Sequence, residues 1–109
     1  MGSWLPWLNG SVSVSCPSMT EKALQAAIVK FARERGWLCF HTYDSRRSAP
    51  GFPDLVMVRR EQLIFAELKA DTGRLTQDQE NWRAALIRAD QAHFVWRPAD
   101  LEIAFKVLA

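Results

Sequence analysis

Between Glu21 and Arg35 the apolar residues Leu24, Ile28 and Phe31 return at intervals of three and four, flanked by Ala27 and Ala32. That spacing predicts a helix opened by Met19-Thr20-Glu21 and stopped at Gly36. The period then drops to two. Trp37 to Tyr43 alternates and is rich in strand formers, whereas residues 44–53, built of Ser, Arg, Pro and Gly, predict a loop. Further strands are expected at residues 54–59 and 62–70. The short link Arg60-Glu61 makes them an antiparallel hairpin, although no Gly marks the turn. Thr72-Gly73-Arg74 leads to a second helix at residues 76–89, whose apolar face carries Trp82, Leu86 and Ala89 together with Gln79. Residues 92–96 give a last strand. Pro98 and Asp100 start a final helix, with Asp100 as its N-cap and Leu101, Ile103, Ala104, Phe105 and Leu108 available for packing.

The predicted order is α-β-β-β-α-β-α, an α/β fold with a mixed central sheet flanked by helices. With 109 residues the chain suffices for one domain, expected over residues 19–109. Residues 1–18 carry no charged side chain and are interrupted by Pro6 and Pro17, which predicts a flexible arm. Trp4, Leu5, Trp7 and Leu8 give that arm the alternative of docking on a partner subunit. It lacks the basic start of a signal peptide and any run long enough to span a bilayer. Met19, directly ahead of the first helix, is a candidate natural start.

Charge narrows the reading further. Fourteen Lys and Arg against twelve Asp and Glu leave a net charge of +2, which excludes a polycation. Affinity for nucleic acid must therefore come from local clusters, such as Arg46-Arg47, Arg59-Arg60, Arg33 with Arg35, or Arg83 with Arg88. Each pair alone reads equally well as a solvated surface. Cys16 and Cys39 do not make a disulfide framework, and Cys39 with His41 is half of a zinc site at most. Cys39 reads as a small buried hydrophobe.

Three charges resist the apolar pattern. Asp54 opens one strand of the hairpin, while Glu67 and Lys69, two apart, share one face of the next; Ile64, Ala66 and Leu68 take the opposite face. Each alone has an ordinary explanation as a turn residue or an exposed edge pair. Together they place two carboxylates across one hairpin, and these repel unless a cation or a proton lies between them. An all-oxygen pair suits a hard ion such as Mg2+. A water polarised there and held by the Lys69 ammonium is a nucleophile suited to a phosphodiester. Glu21 falls three residues before Leu24 and seven before Ile28, hence on the inward helix face. A capping box from Ser18 to Glu21 explains it as well as a functional role does.

Pro53-Asp54 followed by Glu67-Leu68-Lys69 resembles the PD-(D/E)xK nuclease signature. The wider set is similar to the virus-type replication-repair nuclease family, VRR-NUC, especially its stand-alone phage and bacterial members. It comprises Gly51-Phe52-Pro53-Asp54-Leu55, Ala66-Glu67-Leu68-Lys69, Gly73-Arg74-Leu75-Thr76, Gln79 and Trp82. The resemblance spans residues 19–98 and implies a restriction-endonuclease-like fold, a divalent metal (Mg2+, with Mn2+ as a substitute) and cleavage of DNA. By the same resemblance Asp54, Glu67 and the Leu68 carbonyl are metal ligands and Lys69 is the catalytic lysine. Gln79 supports the site, and Glu21 completes the acidic cluster.

Ser45, Arg46 and Arg47, in the loop leading to the motif, are expected to contact the DNA backbone, as is Arg74. His41 shares a strand face with Cys39 and Tyr43 and reads as a structural histidine more readily than a catalytic one. Trp37, Trp82 and Trp96 read as core or interface. The family analogy further implies branched DNA such as four-way junctions, a homodimer, and a cytoplasmic setting in a bacterial or phage-infected cell. The alternatives are a monomeric flap or nicking nuclease and a non-catalytic nucleic-acid-binding module on the same fold.

Overall fold

A computed structural model describes residues 19–42 and 49–109. Helix α1 (Glu21–Glu34) leads to strand β1 (Leu38–His41), and the hairpin of β2 (Leu55–Arg59) and β3 (Gln62–Leu68) follows. Helix α2 (Gln77–Arg88) then crosses to β4 (Ala92–Trp96). A 3-10 turn (Pro98–Asp100) runs into helix α3 (Leu101–Leu108). This is the expected order.

The four strands lie as β1-β2-β3-β4, antiparallel across the first two junctions and parallel between β3 and β4. The register gives the two sheet faces different work. Cys39, Leu55, Met57, Ile64, Ala66, Leu68 and Trp96 share the face beneath α1 and α3, where they form the core with Leu24, Ile28, Ala32, Ala104 and Leu108. Burying such a side chain stabilises the fold by about 2 kcal/mol. Trp37 precedes β1 instead of opening it, its backbone N–H donating to the Ala32 carbonyl at the end of α1 at 3.1 Å, while its ring enters this core and its Nε1–H donates to the Leu108 carbonyl at 2.9 Å.

The other face carries Leu38, Phe40, Val56, Val58, Leu63 and Phe65 in matching rows. Helix α2 lies against β4 at one side, so the described residues cover this surface incompletely. Leu38 is 75% exposed and Phe40 59%.

Several local expectations need correction. The cap of α1 is Thr20, whose Oγ1 accepts from Ala23 N–H at 3.0 Å, which frees Glu21 from a capping role. Ser18 lies outside the described residues, as do the 1–18 arm with Cys16, and Tyr43. Strand β3 stops at Leu68, short of residue 70. Helix α2 has no fully buried residue: Trp82 and Leu86 are half-buried and Ala89 is exposed. Ile103 points to solvent, whereas Phe105 stacks on Phe31 with centroids 4.1 Å apart. Asp100 does precede α3, but its carboxylate turns back to accept Arg97 N–H at 2.9 Å. The hairpin manages without Gly because Arg60 itself adopts φ 56°.

Candidate active site

Extending the β2/β3 register by one residue beyond Leu55↔Ala66 sets Asp54 opposite Glu67, on the face toward α2. Both are pinned from outside the hairpin. Thr42 N–H donates to the Asp54 carbonyl at 3.0 Å and Thr42 Oγ1 donates to the Pro53 carbonyl at 3.1 Å, which anchors the backbone at the motif. Asp54 Oδ2 then accepts Leu68 N–H across the hairpin at 2.8 Å.

Glu67 is the single buried charged residue among those described, at 3% exposure. Its Oε2 accepts from Gln79 Nε2 at 2.8 Å, while Oε1 is buried with no donor. Burial first, then the Asp54 charge and hydrogen bonding with Asp54, push the Glu67 carboxyl up to about 9. Lys69 opposes that shift and Glu21 adds to it. The site therefore holds a carboxyl pair that, left to itself, keeps a proton well above the ordinary range.

Gln79 has two duties. Its Oε1 accepts Thr76 N–H at 2.9 Å and its backbone N–H donates to Thr76 Oγ1 at 3.1 Å, a reciprocal cap that starts α2. Locked this way, the same amide has its Nε2 left over for Glu67. The motif loop is wedged against this helix start. Gly51 has φ 83°, and a Cβ there would fall 2.3 Å from the Asp78 carbonyl carbon and 2.6 Å from Gln79 N. Trp82 Nε1–H donates to the Pro50 carbonyl at 3.0 Å, and Phe52 meets the Trp82 ring edge-on at 5.0 Å.

The segment after β3 is fixed from two further elements. Lys69 N–H donates to the Trp96 carbonyl at 3.0 Å. Ala70 N–H donates to Glu21 Oε2 at 3.3 Å, and the Ala70 carbonyl accepts Arg97 Nη1 at 2.7 Å. Glu21 thus reaches the end of the Glu67-Leu68-Lys69 segment from the start of α1. It acts on the Glu67 charge from there without joining the pair. Among the described residues no three acidic, histidine or cysteine side chains form a ready-made metal-binding group.

Of the remaining expected residues, Arg74 is exposed in the loop between β3 and α2. Ser45, Arg46 and Arg47 lie outside the described residues. His41 sits opposite Leu55, on the sheet face away from Glu67, and lines a groove beside α1. Arg59, paired in sequence with Arg60, is structural. It donates to the Arg35, Leu108 and Ala109 carbonyls and lies over the Trp37 ring at 4.5 Å. Sequence reasoning missed Arg97 and the wedge at Gly51. The first had no signal beyond an arginine following an apolar strand; the second was visible as a Gly directly before Phe-Pro-Asp.

Comparison with known proteins gives the family and the fold. The family profile described as VRR-NUC domain matches residues 3–98. A solved structure described as "VRR_NUC domain" superposes with a TM-score of 0.66 at 19% identity, covering 79% of this chain and 94% of its own. A second, a "VRR_NUC domain protein", gives 0.65 at 17% identity over 85% and 93%. No curated protein matches the sequence. The two structures share the fold, and the profile match extends over most of the chain. The protein belongs to the VRR-NUC domain family, a group of nucleases of the PD-(D/E)xK type.

Proposed function

We propose that the protein is a divalent-metal-dependent DNA endonuclease in which Asp54, Glu67, the Leu68 carbonyl and Glu21 hold the metal. The observation that carries this reading is the orphaned, buried Oε1 of Glu67 beside the Asp54 carboxyl. That arrangement suits a hard cation and is costly without one. Mg2+, or Mn2+ in its place, would supply positive charge that lowers the pKa of a water and stabilises charge developing on the phosphate.

The chain's own groups supply the rest. Gln79 holds one Glu67 oxygen so that the other is presented to the site. Asp54 is aimed by the Leu68 N–H and by the two Thr42 contacts to the backbone at the motif. Lys69, its backbone tied to β4, orients the attacking water through its ammonium, and the water's proton passes to bulk solvent. The water oxygen attacks phosphorus, one P–O ester bond breaks, and the leaving oxygen takes up a proton. Ser45, Arg46, Arg47 and Arg74 bind backbone phosphates in this scheme.

Branched DNA and a homodimer belong to the same proposal. Two cuts in a four-way junction call for two sites, which a two-fold dimer provides. The sheet face around Leu38, Phe40, Val58 and Leu63, exposed among the described residues, offers a second copy an apolar surface. The test is incubation of labelled duplex, flap and four-way junction with Mg2+ and with EDTA, alongside a measured molecular mass. Paired junction cuts that vanish in EDTA, with a dimer mass, are expected. A monomer that cuts flaps or duplex equally would remove the branched-DNA part, and cleavage unaffected by EDTA would remove the metal.

A further inference from the structure

A groove of about 530 Å3 lies between α1 and β1, the edge strand among the described residues, away from the carboxyl pair. Its helical wall carries Glu34 at one end and, along its length, Lys22, Gln25, Ala26, Val29, Lys30 and Arg33. These positions advance by 3, 1, 3, 1 and 3, a single stripe along one helix face. The floor is the small or apolar Ala26 and Val29, with Lys22 at one end and Arg33, beside the Lys30-paired Glu34, at the other. The charges are not equivalent. Lys30 is already neutralised by Glu34 at 2.7 Å, whose carboxyl it holds below the usual range. Lys22 and Arg33 have no ion-pair partner among the described residues.

The stripe begins at the site. Lys22 adjoins Glu21, whose carboxylate touches the end of the Glu67-Leu68-Lys69 segment. His41, at the end of β1 nearest the motif loop, forms part of the opposite wall. Lys22 and Arg33 are eleven residues apart, about 16 Å along the helix. That equals about five base-pair steps of duplex rise.

We infer that this groove is a second nucleic-acid contact, a track that binds DNA backbone phosphates at Lys22 and Arg33 as the duplex extends from the active site. The inference deepens the proposed endonuclease reading and rests on it for the identity of the ligand. A path with a cation toward each end and an uncharged floor holds a phosphate backbone without reading bases.

The experiment uses the full chain and a fluorescein-labelled 30-base-pair duplex in EDTA, following anisotropy across a salt series. Two phosphate contacts contribute about 1.8 to the log–log salt slope. The double variant Lys22→Gln with Arg33→Gln should lose about that much slope and bind at least about tenfold more weakly at 0.1 M salt. Removing the same charge at Arg88 and Lys106, outside the groove, should change the slope by less than half as much. Equal losses in the two double variants, or no loss in the first, would overturn the track. Both groove positions are exposed; should the double variant melt below the wild type, Lys22→Gln alone must still lose about 0.9. Plasmid nicking by the wild type in Mg2+ is scored separately. Nicking with an unchanged slope rejects the groove alone, whereas a groove-dependent slope without nicking rejects the endonuclease reading alone.

Discussion

Glu67 is where burial and charge conflict most sharply. Its folded-state pKa of about 9 lies above the ordinary 4.5, so folding favours the protonated form. The sign follows: stability from this group is complete below pH 4.5 and is lost as pH rises toward 9. Metal-free protein should therefore melt at progressively lower temperature between pH 5 and pH 9, and Glu67→Gln should flatten that part of the profile. Calorimetry in EDTA checks both; an unchanged slope in the variant would contradict the assignment. Gln79 offers a sharper substitution. Glutamate at this position keeps an oxygen for Thr76 N–H but has no hydrogen to give Glu67. Gln79→Glu should keep the cap but cost about 1–3 kcal/mol in EDTA by leaving a Glu67 oxygen without its donor and reduce nicking at least about tenfold. Wild-type melting and wild-type nicking in this variant would instead mark Gln79 as a helix cap alone.

The motif is assembled by elements far apart in sequence, which explains what the chain disclosed on its own. The hairpin of β2 and β3 was legible because alternation and register are local, and they alone place Asp54 opposite Glu67. The helix α1 stripe was equally clear. Less legible were features set by tertiary contact. The backbone of Trp37 is tied to the end of α1, α2 buries no residue completely, and Asp100 turns back toward Arg97. Arg59 and Arg97, alike in sequence to any surface arginine, tie carbonyls together across the fold. The loop at Gly51 and the first turn of α2 behave as one unit, because no side chain fits between them. Gly51→Ala should destabilise the protein by about 2–4 kcal/mol through positive-φ strain and overpacking. Denaturant melts measure this; a loss below about 0.5 kcal/mol would show that the loop is free to move away from α2.

For the molecule as a whole, the two sheet faces divide structure from chemistry. One face packs under α1 and α3 and supplies the core, and the other faces α2 and carries the carboxyl pair at its edge. Glu21, at the start of α1, and Lys69, just beyond β3, join the two sides at one end of the sheet. The result is a small nuclease domain whose most expensive residue to bury is also its proposed metal ligand. Supercoiled-plasmid nicking in Mg2+, by wild type and by folded Glu67→Ala and Lys69→Ala variants, tests that identity directly. The wild type should nick in Mg2+ and not in EDTA, and both variants should lose at least about a hundredfold in rate. Wild-type rates in either folded variant would contradict the assignment.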